Sequence, residues 1–465
     1  MYLKYAFILL GCSIFTVNSF ATKPATAPFI DNDGHIPTAS EYNGPLFKLN
    51  HQYPSHSDAP AMPWRTTINN GVITTQNAGS YAQALKEAVG KDMRVLLEDY
   101  PHWNAQERGW YNEPWLGTQR ESIHGMYVGT SSLDTSLFQA SGLTKPITTY
   151  VLTYYDKTAA QTLEKIWGKT ALKPAITAAS TQFSEGSLIV KAAFITADPS
   201  VWPVMNGSQI WPLYITTNAT TGQLPKPQVV NAYLMQFDVI VKDSVSAPKT
   251  GWVFSTLVYD QNIKPGANGV WDQMVPLGAQ WGNDPQANST KEPTAPLLEN
   301  WNNPAAPAYG GATFGWGERL SGPNDCAMND ISITVDGKQQ YIKNAKDSSC
   351  MSCHSSAQWD VNNPSTGMDS FLLPLMTTVP VNNGTGSPYL YSPAPGSNEW
   401  MRWFQDRLGN VPMNPGSVAA DFDMVLTFKS LPAWYEATTK KPHVLGAMDR
   451  SGRRHTLDYN GKEAK

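Results

Sequence analysis

Between residues 147 and 260 the side chains repeatedly alternate between apolar and polar, residue by residue. In "YLMQFDVIVKD" (233–243), Met235, Phe237, Val239 and Val241 fall on one side and Gln236 and Asp238 on the other. An extended strand sends successive side chains to opposite faces, whereas a helix would scatter these apolar residues around its circumference. "ITTYVLTYYD" (147–156), "SLIVKAAFIT" (187–196) and "GWVFSTLVYD" (251–260) also read as strands, with Gly, Pro and Asp between them. The expectation is an antiparallel, β-sandwich-like domain with its apolar faces inward and Gln236 and Asp238 toward water.

Composition agrees with a mainly β fold carrying some α. The 465 residues include 16 Trp, 20 Tyr, 15 Phe, 35 Pro and 35 Gly, a mixture suited to strands and loops. Helices are expected at 80–89, closed by Gly90, at 157–168, and at 397–409 between an N-cap Ser397 and a stop at Gly409. "FDMVLTF" (422–428) reads as a strand, and "ISITVDGKQQYIK" (331–343) as a hairpin turning at Asp336–Gly337. The chain divides into a leader (1–21), a Pro- and aromatic-rich arm and loop region (22–145), the β-sandwich-like domain (146–300) and a C-terminal region (301–465). A formal charge of −4 and a pI near 6.1 argue against a nucleic-acid-binding face.

The leader carries Lys4, an apolar stretch from Tyr5 to Val17, and a small-x-Ala site at Ser19–Ala21, the pattern of a secretory signal peptide. "LLGC" also looks like a lipid-attachment box with Cys12 as the modified residue, and only that route would tether the chain to a membrane. Release after Ala21 fits better, because Leu10 is bulky for such a box. No later apolar run is long enough to span a bilayer. The expectation is an exported, periplasmic or secreted chain. Three cysteines remain after cleavage, Cys326, Cys350 and Cys353, too few for a disulfide scaffold.

Cys350 and Cys353 belong to "CMSCH", with His354 immediately after. A thiol–disulfide site would place such a pair after a strand in a βαβ framework, and no such pattern surrounds it. A structural zinc site of the four-cysteine kind would need a second Cys-x-x-Cys, which the chain lacks. In the third chemistry, two thiols bond the two vinyl groups of haem and the adjacent imidazole takes the proximal position on iron. That attachment happens outside the cytoplasm, where the leader sends the chain. Through Cys350, Cys353 and His354 the chain resembles c-type cytochromes. It is also similar to a group of exported bacterial mono-haem proteins, through "WYNEPW", "RESIHG", "GWVFSTLVYD" and "WGERLSGP". The likeness implies one covalent haem c per chain but no activity. Relative to that group, Cys326 and the 331–343 hairpin look like an insertion.

Resemblance to small cytochromes implies a distal methionine on a Pro- and Gly-containing loop downstream. Met413 in "GNVPMNPGS" fits best, ahead of Met376, Met368, Met401, Met424 and His443. The commoner role of such a methionine is core packing. Arg120, Glu121 and His124 in "QRESIHG" could form a polar active site, but one ion pair on a loop, with His124 bonded to a carbonyl, is the commoner outcome. The tryptophan clusters could stack on sugars, although such residues more often fill cores. The expected function is electron transfer by a mono-haem protein with an unknown redox partner. The alternatives are a haem-dependent oxidoreductase with an open distal site and a β-sandwich glycan-binding module.

Overall fold

Nine antiparallel strands form one sheet: β1 (Trp110–Tyr111), β2 (Tyr127–Leu133), β3 (Ile147–Asp156), β4 (Leu188–Ile195), β5 (Ile210–Asn218), β6 (Gly222–Lys242), β7 (Trp252–Tyr259), β8 (Met274–Gln280) and β9 (Asn300–Asn302). Their order is β1-β3-β4-β6-β7-β8-β9, with β2 also pairing with β3 and β5 with β6. This computed structural model describes residues 31–441 apart from 134, 219–221, 288–294, 325–327, 336–337, 347–348, 367–376, 381–387, 392–395, 397 and 399, together with 445–448 and 454–457. The fold is mainly β with some α, as expected, and the alternating segments supply its central strands. The arm and loop region also contributes β1 and β2.

The helices that matter for the site are α1 (Ala78–Glu98), α2 (Lys157–Trp167), α3 (Cys350–His354) and α4 (Leu431–Thr439). On one face of the sheet, α1 packs Tyr81, Leu85, Val89, Met93, Leu96 and Leu97 against the apolar rows that include Phe237, Val239 and Val241. On the other face, α2, α3 and residues 420–433 pack around Tyr155, Ile189, Ile240, Trp252 and Phe254. Burying each large apolar side chain in these layers contributes about 1.5–3 kcal/mol, which offsets the entropy of ordering the strands.

Covering both faces corrects the expectation that Gln236 and Asp238 meet water. Both are buried, because the strand face read as solvated is roofed by chain from far downstream. The first helix does not stop at Gly90 but continues to Glu98. Glycine is required there for a packing reason, since a Cβ at position 90 would lie 2.7 Å from the Trp271 ring nitrogen. The expected helix at 397–409 is reduced, among the described residues, to one 3₁₀ turn at Trp400–Arg402. Trp403 and Phe404 instead bury themselves in a small separate cluster. The expected strand at 422–428 is helical: a π-helical turn, Leu426–Ser430, runs directly into α4. Asp423 caps it by accepting from Leu426 N at 3.0 Å, and short apolar runs of this kind are ambiguous between strand and helix. The hairpin is present as Met328–Val335 against Lys338–Lys346, paired up to Val335 opposite Lys338. Its turn lies outside the described residues.

Candidate functional site

Two rows of cross-strand partners make the floor of a recess on the second face of the sheet. Tyr155, Ile189, Ile240 and Phe254 stand opposite one another across β3, β4, β6 and β7. One step along, Thr153, Lys191, Asp238 and Thr256 form a parallel polar row in the same register. The Lys191 ammonium lies 2.9 Å from Asp238 Oδ2, and the carboxylate also accepts from Thr256 Oγ1 at 2.7 Å and Gln236 Nε2 at 2.8 Å. Half of the floor is therefore apolar and half is a neutralised ion pair held by hydroxyl and amide donors, as burying charge demands. The recess is a shallow depression open to solvent on one side.

Helix α3 supplies part of the roof. Its first turn is fixed by Gln280 of β8, which accepts from Met351 N at 3.0 Å and donates to Ser349 Oγ at 3.1 Å. Met351 is buried in the core beneath it. Cys350 and His354, four residues apart on one helix face, both line the recess. Cys353 is half-buried on the same turn and is not among the lining residues. Neither cysteine is disulfide-bonded.

The His354 ring lies 4.7 Å from the Phe254 ring, centroid to centroid, and its Nδ1 is 2.8 Å from the carbonyl oxygen of Phe422. A carbonyl only accepts, so Nδ1 carries the hydrogen and Nε2 keeps its lone pair. Burial pushes the imidazole pKa down to about 4, with the Phe422 carbonyl opposing that shift, so the ring is neutral at neutral pH. A neutral imidazole whose second nitrogen is anchored to a carbonyl is the arrangement that metal-ligating histidines use.

The back wall is the turn Asp421–Phe422–Asp423. Asp421 and Phe422 both sit in the left-handed region, at φ 46° and 69°. Asp421 is completely buried and accepts from Lys242 Nζ at 2.6 Å, Trp252 Nε1 at 2.7 Å and Phe183 N at 2.8 Å. Asp423 accepts from the Tyr155 hydroxyl at 3.0 Å, and burial pushes its carboxyl up to about 6. Behind it, Glu113 accepts from Trp167 Nε1 at 2.7 Å, and burial followed by the Asp423 charge raises its pKa well above the usual range.

Met424 lines the recess, whereas Met413 is buried in the separate cluster with Trp403 and Phe404. Met401 packs against that cluster too. Met368, Met376, His443, Cys12 and Cys326 lie outside the described residues. The chain contains one His-x₄-His pair, His51 and His56, on the N-terminal arm, and neither lines the recess. Among the described residues, no group of three or more His, Cys, Asp or Glu is arranged to hold a metal ion by itself. The nitrogen and sulfur donors lining the recess are the His354 imidazole, the Cys350 sulfur and the Met424 thioether, and the carboxylates of Asp238 and Asp423 line it too.

The "RESIHG" loop is buried, but not as the expected ion pair: Arg120 and Glu121 bond backbone groups, and neither His124 ring nitrogen meets a carbonyl. Glu121 accepts from the backbone N–H groups of Ile123, His124, Met126 and Tyr214 at 2.7–3.1 Å. Burial pushes its carboxyl up to about 7 against the pull of those donors. Arg120 donates to Gly125 O at 2.9 Å, its guanidinium 5.4 Å and 5.7 Å from the Phe47 and Tyr127 ring centres. His124 stacks on Trp211 at 4.0 Å and meets Tyr100 at 4.1 Å. Trp110, Trp115, Trp202 and Trp211 are buried in the core, where a sugar cannot reach them.

Lys191, Asp238, Phe254, Gln280, Asp421, Phe422 and Asp423 escaped sequence reading as site residues. The legible trace was the polar side of β6, with Gln236 and Asp238 on a strand flanked by strongly apolar neighbours. Comparison with known proteins adds nothing to this geometry: no family model, curated protein or solved structure matches the chain.

Proposed function

We propose that the chain carries one haem c, thioether-bonded through Cys350 and Cys353 with His354 as proximal iron ligand, and that it works in electron transfer after export. The observation that carries this reading is His354, which stands one residue after a cysteine pair with its tautomer set by the Phe422 carbonyl beside a half-apolar recess. Haem supplies a one-electron couple when bound. The residues supply the rest. Ile189, Ile240 and Phe254 exclude water from the apolar half, Lys191 and Asp238 keep the polar half neutral, and the Phe422 carbonyl raises the basicity of the imidazole.

Two methionines compete for the sixth position. Met413 is supported by its loop context in the sequence, and Met424 by its place on the recess wall. Position favours Met424. We expect Met424→Ala to abolish a methionine–iron charge-transfer band and Met413→Ala to leave it. The reverse pattern would restore Met413. A second reading rests on the hydrogen-bonded Tyr155–Asp423 pair lining the recess, which would suit a small substrate at a vacant iron position. Fast carbon monoxide binding to the reduced wild-type protein would favour that oxidoreductase over the carrier.

A pyridine haemochrome spectrum and an intact mass of the exported protein test the main proposal. One covalent haem is expected, and Cys353→Ser should lose the double thioether signature. Colourless protein with the mass of the bare processed chain would overturn the reading.

A further inference from the structure

We infer that Asp421 is a positioning residue that holds Phe422 in a left-handed conformation, so that the Phe422 carbonyl meets His354 Nδ1 and sets the electron-donating strength of that imidazole. Two consecutive non-glycine residues at positive φ, one of them an aromatic, form a backbone outlier that persists only where its surroundings over-determine it. Three donors from three different segments converge on the buried Asp421 carboxylate: Lys242 at the end of β6, Trp252 at the start of β7 and the Phe183 backbone. The Asp421 N–H donates to Gly409 O at 3.1 Å, and a Cβ on Gly409 would lie 1.6 Å from Asp421 Oδ1. Phe422 itself packs against Trp252 and Phe254, two residues apart on one face of β7. The strained turn is thus clamped at both residues, and its one outward product is the carbonyl 2.8 Å from His354.

A carbonyl that accepts firmly from Nδ1–H makes the imidazole a stronger donor at Nε2. Loosening the clamp weakens that bond, stabilises the oxidised metal less, and raises the potential. The potential arm of this inference rests on the haem proposal, and the tautomer arm does not.

The test compares Asp421→Asn with Trp252→Phe, a milder loss of one donor that keeps the ring, and with the control Asp243→Asn. Asp243 is equally buried and holds Arg65, Tyr81 and Trp64 away from the recess, so its variant loses stability without touching His354. In the haem-loaded chain, Asp421→Asn should shift the one-electron equilibrium about tenfold toward reduction, roughly 59 mV upward. Trp252→Phe should move it less in the same direction, and Asp243→Asn not at all. In the haem-free Cys350→Ser/Cys353→Ser chain, nitrogen NMR should find His354 locked with its hydrogen on Nδ1. The Asp421→Asn and Trp252→Phe versions should show a tautomer mixture. A ring that stays locked in both variants, or a potential that moves equally in the control, would overturn the inference. A parent chain without haem would defeat the cofactor reading alone, since the tautomer result still decides this one.

Discussion

At the scale of single residues, His124 shows how a buried titratable group shapes stability away from the site. It is 3% exposed, and neither ring nitrogen has a hydrogen-bond partner. Burial pushes its pKa down to about 3 from 6.5. The unfolded chain therefore binds a proton below about pH 6.5 that the folded chain refuses until about pH 3. The stability tied to this group is complete above pH 6.5 and is lost as pH falls through that window, by a few kcal/mol in all. His124→Phe keeps the stack on Trp211 and removes the titration. Urea midpoints at pH 7 and pH 4 should differ less for this variant than for the parent. Taking the difference between the two pH values cancels any change in packing. An unchanged difference would exonerate His124.

At the scale of elements, α1 offers a sign test. An exposed mid-helix glycine replaced by alanine gains about 1 kcal/mol. At Gly90 the added Cβ would press on the Trp271 ring, so Gly90→Ala should instead destabilise by about 1–3 kcal/mol, read as a lower urea midpoint at unchanged slope. The same position shows why part of this fold was legible and part was not. β3 and α2 were readable almost to the residue, because the period changes at Asp156 and that side chain caps the helix through Ala159 N. Gly90 looked like a stop because glycine serves both as a helix terminator and as a place for a ring to approach. Only the partner, Trp271, separates the two roles, and it is remote in sequence. The site divides in the same way. Cys350, Cys353 and His354 were visible as a contiguous motif, whereas Asp238, Asp421 and Phe422 acquire meaning only through cross-strand register and a turn far downstream.

At the scale of the whole molecule, the sheet is a partition. α1 and its core lie on one side and the recess on the other, so disturbances on the α1 side should reach the site weakly. Lys191→Met makes the complementary prediction on the recess side. It strips Asp238 of its cation in a buried row, and removing one partner of such a pair costs about 3–5 kcal/mol. Lys191→Met combined with Asp238→Leu should recover much of that loss in urea unfolding, since an apolar pair leaves no charge stranded. The clamp on His354 also carries a consequence for how the protein matures. The ring and its acceptor carbonyl are 68 residues apart, and Tyr155 and Asp423 are 268 apart. On the proposed route of export, a chain emerging N-terminus first presents the cysteine pair while the back wall has yet to arrive. Sulfur chemistry at that pair would then precede closure, and arrival of the C-terminal segment would be the step that fixes the imidazole and seals the pocket.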